Sequence, residues 1–137
     1  MSISNLEWSI TFILVTNIGG NELEYLDHTL FENNCRLTQI NLGQGHVTPE
    51  ISTSLFYNNE KLRVADFSSL NARIPSQLFL TVPKMEWISL RGNDIPVVTT
   101  LIAKDKKRLE FLDLSNCQIR AILGRDKNPN SINLGMN

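Results

Sequence analysis

Apolar residues fall on a short template that returns along the chain: apolar, two variable, apolar, one variable, apolar, two variable, small or polar, one variable, apolar. The clearest copies are Met85-Ile88-Leu90-Asn93-Ile95 and Leu109-Leu112-Leu114-Cys117-Ile119. Leu37-Ile40-Leu42-Gly45-Val47 and Ile13-Thr16-Ile18-Asn21-Leu23 follow it as well, and Leu62-Ala65-Phe67-Leu70-Ala72 keeps the spacing with eroded residues. The copies start at 13, 37, 62, 85 and 109, in steps of 24, 25, 23 and 24 residues. A fixed period of this size marks a solenoid. Within each copy, positions four and six lie two apart and point to one face of a strand, while positions three, five and seven point to the other. One copy cannot bury its inward residues alone. Stacked copies form a parallel sheet on one side and a continuous apolar core behind it.

A second marker keeps the same phase. Phe31, Phe56 and Phe79 each stand six residues before a start, while the fourth such place holds Ala103. Together these residues resemble the leucine-rich repeat, L-x-x-L-x-L-x-x-N/C-x-L, and in particular its typical class of roughly 24 residues. The resemblance runs from residue 13 to about 132. It implies an α/β solenoid: a curved right-handed stack with a parallel sheet on the concave side and short helices or turns on the convex side. It also implies a ladder at the ninth position, where an inward Asn or Cys bonds otherwise unpaired loop backbone. That column reads Asn21, Gly45, Leu70, Asn93, Cys117, so the second and third repeats are expected to be the softest part of the ladder or to use water. Asn71, one residue late, suggests a bulge there.

Between the template copies, Leu23, Leu26, Leu30 and Phe31 have helical spacing and predict a short helix over 22–34. Val97, Val98, Leu101 and Ile102 predict another over 96–106, with Pro96 in its first turn. Segments 48–60 and 73–82 are less regular and suggest a turn of helix or 3-10 structure. Leu6, Trp8, Ile10 and Phe12 alternate with polar residues, so residues 1–12 read as a capping strand or half-repeat. Residues 13–123 hold the five repeats, and 124–137 a polar loop and a partial sixth repeat, with Ile132, Leu134 and Asn137 at positions four, six and nine.

Bulk properties narrow the function. The 137 residues make one domain with 13 basic and 14 acidic side chains, which argues against nucleic acid or an anionic membrane as main partner. The basic run 104–108 reads as a solvated loop. Cys117 should be buried and inert, and Cys35 too far from it to bridge. Missing cysteine caps, the lack of an N-x-S/T acceptor and a start without a basic signal region favour the cytoplasm. The repeat class points instead to an extracellular setting. Ile10–Val15 is apolar but too short to span a membrane.

Catalytic, metal and cofactor motifs are not found. His28 and His46 lie in different repeats, and no H-E-x-x-H, Cys-x-x-Cys or phosphate-binding loop occurs. Asp66 and Asp113 fall at position five of their repeats with one strand between them, about 10 Å apart by strand spacing, and read as part of a solvated acidic row. The concave face is the candidate site. Position three reads Val15, Gln39, Val64, Trp87 and Phe111, and its last three members form an apolar ridge. Asn17, Asn41, Asp66, Ser89 and Asp113 form a polar row at position five, and Arg91 stands at position seven. An apolar centre with a polar rim, anchored by Trp and Arg, is how protein-binding patches are built. The expected function is therefore non-enzymatic: a scaffold or signalling module that takes a protein or peptide on this face. A fragment of an extracellular receptor or secreted immune-recognition ectodomain, and a structural spacer or adaptor in a larger repeat array, remain open beside it.

Overall fold

The computed structural model describes residues 15–22, 24–99, 102, 105–124 and 131–137. The expected capping strand with Leu6, Trp8, Ile10 and Phe12, and Ile13, Leu23, Leu101, Ala103, Lys104 and the loop 125–130, lie outside these residues. The chain forms a parallel-strand solenoid. Six three-residue strands, β1 (Val15–Asn17), β3 (Gln39–Asn41), β5 (Val64–Asp66), β6 (Trp87–Ser89), β8 (Phe111–Asp113) and β10 (Ser131–Asn133), pair side by side in one parallel sheet. Their register follows the template without a slip: Thr16, Ile40, Ala65, Ile88, Leu112 and Ile132 are successive partners. Parallel strands need a crossover, and here each crossover is one turn of the coil. Positions four and six of the second to fifth copies, Ile40 to Leu114, supply the buried core. Ile132 and Leu134 of the sixth copy stay exposed.

The back of the coil corrects the α/β expectation. Over 22–34 the chain forms a short strand, β2 (Tyr25–Leu26), and a 3-10 turn at His28–Leu30, opened by the Asp27 carboxylate accepting from the Thr29 amide. β2 pairs in parallel with β4 (Glu50–Ile51) on the next coil. Over 96–106, where a second helix was expected, β7 (Val97–Thr99) pairs with β9 (Ala121–Leu123). Two causes suffice. About ten residues are too few for a stable helix by themselves, and the β-branched run Val97-Val98-Thr99 favours extended backbone. Pairing with the neighbouring coil satisfies the same backbone groups. Segments 53–59 and 76–82 are chains of overlapping turns, with i to i−3 bonds such as Tyr57 N to Ser54 O (3.1 Å) and Leu80 N to Gln77 O (3.1 Å).

Behind the sheet, Phe31, Phe56 and Phe79 are fully buried and stack coil on coil, with ring centroids 6.0 and 5.9 Å apart, and Phe67 meets Phe56 and Phe79 edge-on. Each such pair contributes about 0.5–1.5 kcal/mol beyond its burial. The ninth-position ladder is present where its residues allow it. Asn93 Nδ2 donates to the carbonyls of Phe67 (2.7 Å) and Leu90 (2.8 Å), while its Oδ1 accepts from Ala72 N (3.0 Å). Asn137 repeats this with the carbonyls of Leu114 and Leu134 and the amide of Cys117. Cys117 Sγ donates to Leu90 O (3.0 Å). Gly45 and Leu70 offer no donor. Instead a Leu70 methyl lies 3.0 Å from where a Gly45 Cβ would stand, so packing fills the gap.

A second ladder crosses the opposite bend. The carbonyls of the three stacked phenylalanines each accept from the following coil: Phe31 O from Asn59 Nδ2 (3.0 Å), Phe56 O from Thr81 Oγ1 (2.9 Å), Phe79 O from Lys106 Nζ (2.6 Å). Lys106 therefore corrects the reading of 104–108 as a solvated loop. Its side chain is only 2 % exposed, while Asp105, Lys107 and Arg108 are exposed as expected. Burial pushes its ammonium down from the usual 10.5 to about 8, partly opposed by the Asp105 charge.

Two outcomes follow for stability. Asn93→Ala strips three buried backbone partners at 1–3 kcal/mol each, and urea unfolding should lose about 3 kcal/mol or more. Lys106 makes stability rise with pH. Below about 8 both folded and unfolded chains hold the proton and the full burial cost is present; between about 8 and 10.5 only the unfolded chain keeps it. Over that window the folded state should gain roughly 3 kcal/mol relative to Lys106→Met. Paired unfolding curves at successive pH values measure this slope, and a pH-independent difference between the two proteins would refute it.

Candidate functional site

On the sheet's outer face, position three brings Val15, Gln39, Val64, Trp87 and Phe111 into one row of adjacent partners. Strand neighbours lie about 4.8 Å apart, close to the separation of stacked rings. The Trp87 and Phe111 rings accordingly stack, with centroids 5.4 Å apart and planes at 14°. Both are half-buried, as is Val64, while Val15 is 60 % exposed. The ridge expected from the sequence, Val64, Trp87 and Phe111, is thus continuous over three strands, and exposed Gln39 separates it from Val15.

Position five forms the parallel polar row Asn17, Asn41, Asp66, Ser89, Asp113, Asn133. Five of its members make the same local turn. Asn17, Asn41, Asp66, Asp113 and Asn133 each accept through Oδ1 from the backbone amide two residues on, at 3.2, 2.9, 2.9, 2.9 and 3.0 Å. An amide donor requires an oxygen acceptor, so the geometry fixes how each Asn is turned. Nδ2 of Asn17 and Asn41 and Oδ2 of Asp66 and Asp113 are the atoms left over. Ser89 has no carboxyl or amide to spend and is 5 % exposed, sheltered within the row. Asp66 and Asp113 are separated by Ser89, as the spacing predicts. Arg91, at position seven, is exposed. Next to it in that column is Ser115, 6 % exposed, whose Oγ has no hydrogen-bond partner.

The face is not flat. A recess of about 260 Å³ opens at the exposed flank of Trp87. Trp87, Val64, Gln39 and Val15 wall it along position three; Asn17, Asn41 and Asp66 close it along position five. Among the described residues Asp66 is the one charged residue lining it. A larger groove of about 510 Å³ lies on the back between β4 and β7, lined by Pro49, Pro75 and Pro96, where Arg73 and Asp94 form an isolated parallel backbone β-bridge.

All nine residues singled out from the sequence therefore share one face. Val15 and Asn17, read from the sequence at positions three and five of the first copy but not singled out as binding residues, line the recess on the same face. Among the described residues no group of three or more His, Cys, Asp or Glu comes together that could hold a metal ion. His28 packs edge-on against Tyr57, far along the coil from His46. Both cysteines are free; Cys117 is buried, and burial raises its thiol pKa, so it is a poor nucleophile. No protein-family model matches the chain, and a search of curated proteins finds none similar to it.

The shared turn yields a stability contrast. Asp66→Ala leaves the Ser68 amide without its acceptor and should cost about 1 kcal/mol. Asp66→Asn keeps Oδ1 in place and should cost less than half as much in the same chemical unfolding assay.

Proposed function

We propose that this chain is a non-enzymatic recognition module, a leucine-rich repeat solenoid that binds a polypeptide on the outer face of its six-stranded sheet. The stacked Trp87–Phe111 pair carries the reading. Two large rings stand on the solvent side of strands whose inward side already supplies the core, so the fold does not need them there. Rigid aromatic area flanked by hydrogen-bonding groups is the usual make-up of a binding hot spot. The leucine-rich repeat assignment draws support from the ninth-position bonds of Asn93, Cys117 and Asn137 and from the buried phenylalanine column. The partner crosses the strands, with an apolar group against Trp87 and Phe111, a basic or hydrogen-bonding group toward Asp66 and Asp113, and a carboxylate toward Arg91. Among the described residues no helix is long and apolar enough to cross a membrane.

Affinity capture with the wild-type chain beside Trp87→Ala, Phe111→Ala tests this reading. A protein retained by the first and lost by the second supports it; one held equally by both rules out the aromatic ridge. For an isolated partner, Trp87→Ala should weaken binding by about 2 kcal/mol or more, with thermal unfolding nearly unchanged.

A further inference from the structure

The outer face has a charge preference that the ridge alone does not disclose, and it sits in the recess beside Trp87. We propose that this recess takes the guanidinium group of an arginine side chain presented by the polypeptide partner. The inference rests on the reading of the outer face as a recognition surface.

Three observations converge on it. The recess volume of about 260 Å³ admits a side chain but not a folded element. One wall is an indole whose other flank is already taken by Phe111, leaving the flank toward Val64 to meet an occupant. A guanidinium lies flat on such a ring and is drawn to its electron-rich face. The opposite wall holds Asp66, and the turn to the Ser68 amide occupies Oδ1, which turns Oδ2 into the acceptor available to the recess. Among the described residues none that lines the recess carries positive charge, so a cation meets attraction there without a competing ion pair. Asn41 and Asn17, whose Oδ1 atoms are likewise held in turns, offer Nδ2 donors to the backbone carbonyls on either side of the arginine. A neutral apolar occupant would use the indole but leave Asp66 Oδ2 desolvated. A carboxylate would face Asp66 and be repelled. Lysine brings the charge but not the planar fork that stacks and donates together.

The probe is N-acetyl-arginine-amide, titrated into isotope-labelled protein and followed by amide and Trp indole chemical shifts. N-acetyl-citrulline-amide, nearly the same shape without charge, is the control. The expected result is millimolar binding of the arginine probe, mapping to the Asn41, Asp66 and Ser68 amides and the Trp87 indole. Citrulline should bind about tenfold more weakly, the loss of a cation–aromatic contact together with an ion pair. Asp66→Asn keeps the turn, removes the ion pair and should shrink the preference for arginine to the part owed to the cation–aromatic contact, while Trp87→Leu should weaken both probes. Equal binding of the two probes, shifts centred elsewhere, or an arginine preference undiminished in Asp66→Asn would each overturn the inference. The outcome separates from that of the broader reading. Capture lost in the Trp87, Phe111 double variant with no arginine preference sinks this inference alone; arginine selectivity with capture undisturbed by that variant sinks the ridge as the partner site.

Discussion

Each described coil of this molecule bends twice, and the bends turn backbone carbonyls toward the buried interior. An unpaired buried carbonyl costs about as much as the net gain from several good contacts, so the stack stands only if something answers those groups. Side chains from the next coil do so. At one bend the donors are Asn93, Cys117 and Asn137; at the other they are Asn59, Thr81 and Lys106. Chemically unlike residues serve one column because the requirement is for a donor reaching a fixed carbonyl, not for a particular side chain. Lys106 is the extreme case: its burial cost is tolerated to bring Nζ to Phe79 O. Where no donor is available, at Gly45 and Leu70, volume replaces hydrogen bonding.

This explains how much was legible in the amino-acid order. The sheet was, because a strand's two-residue period and the coil's period of about two dozen are both written in apolar positions such as Ile88, Leu90, Leu112 and Leu114. The back was misread because short spans there have ambiguous periodicity. Leu26, Leu30 and Phe31 fit a helical face, yet Leu26 and Phe31 are buried equally well by a strand followed by turns. The Val97-Val98-Thr99 run carried the better signal. The second ladder was hidden for another reason. Its donors Asn59 and Lys106 stand three residues before a copy begins, whereas Thr81 stands four before one, its neighbour Val82 filling the equivalent place. They share no chemistry that a search by residue type would detect. The eighth position was partly visible. Gly20 and Gly92 announce left-handed backbone there, and Gln44, Ser69, Asn116 and Met136 adopt it too because the coil forces it on them.

The candidate site follows from the same economy of columns. A polar row beside the ridge was evident from Asn41, Asp66 and Asp113, but not which of its atoms face a partner. That depends on the turn each residue makes after its strand. Once Oδ1 is committed to the amide two residues on, an Asn presents a donor and an Asp an acceptor at the same place. Changing one for the other inverts the polarity of one site on the face without disturbing the turn beneath it. The turn and the outward-facing polar group are thus carried by different atoms of one side chain.

Ser89 shows where that separation reaches its limit. A third carboxylate at its place would sit one strand spacing from both Asp66 and Asp113. At about 4.8 Å even full aqueous screening leaves roughly 1 kcal/mol of repulsion per pair, and a half-buried face screens less. Serine removes the repulsion and forgoes the turn bond that the other five members make. Its small side chain stays within the row, directly beside the strand positions that bear Trp87 and Phe111. The uniform column is broken at the aromatic stack, where charge crowding and ring packing would otherwise compete for the same surface.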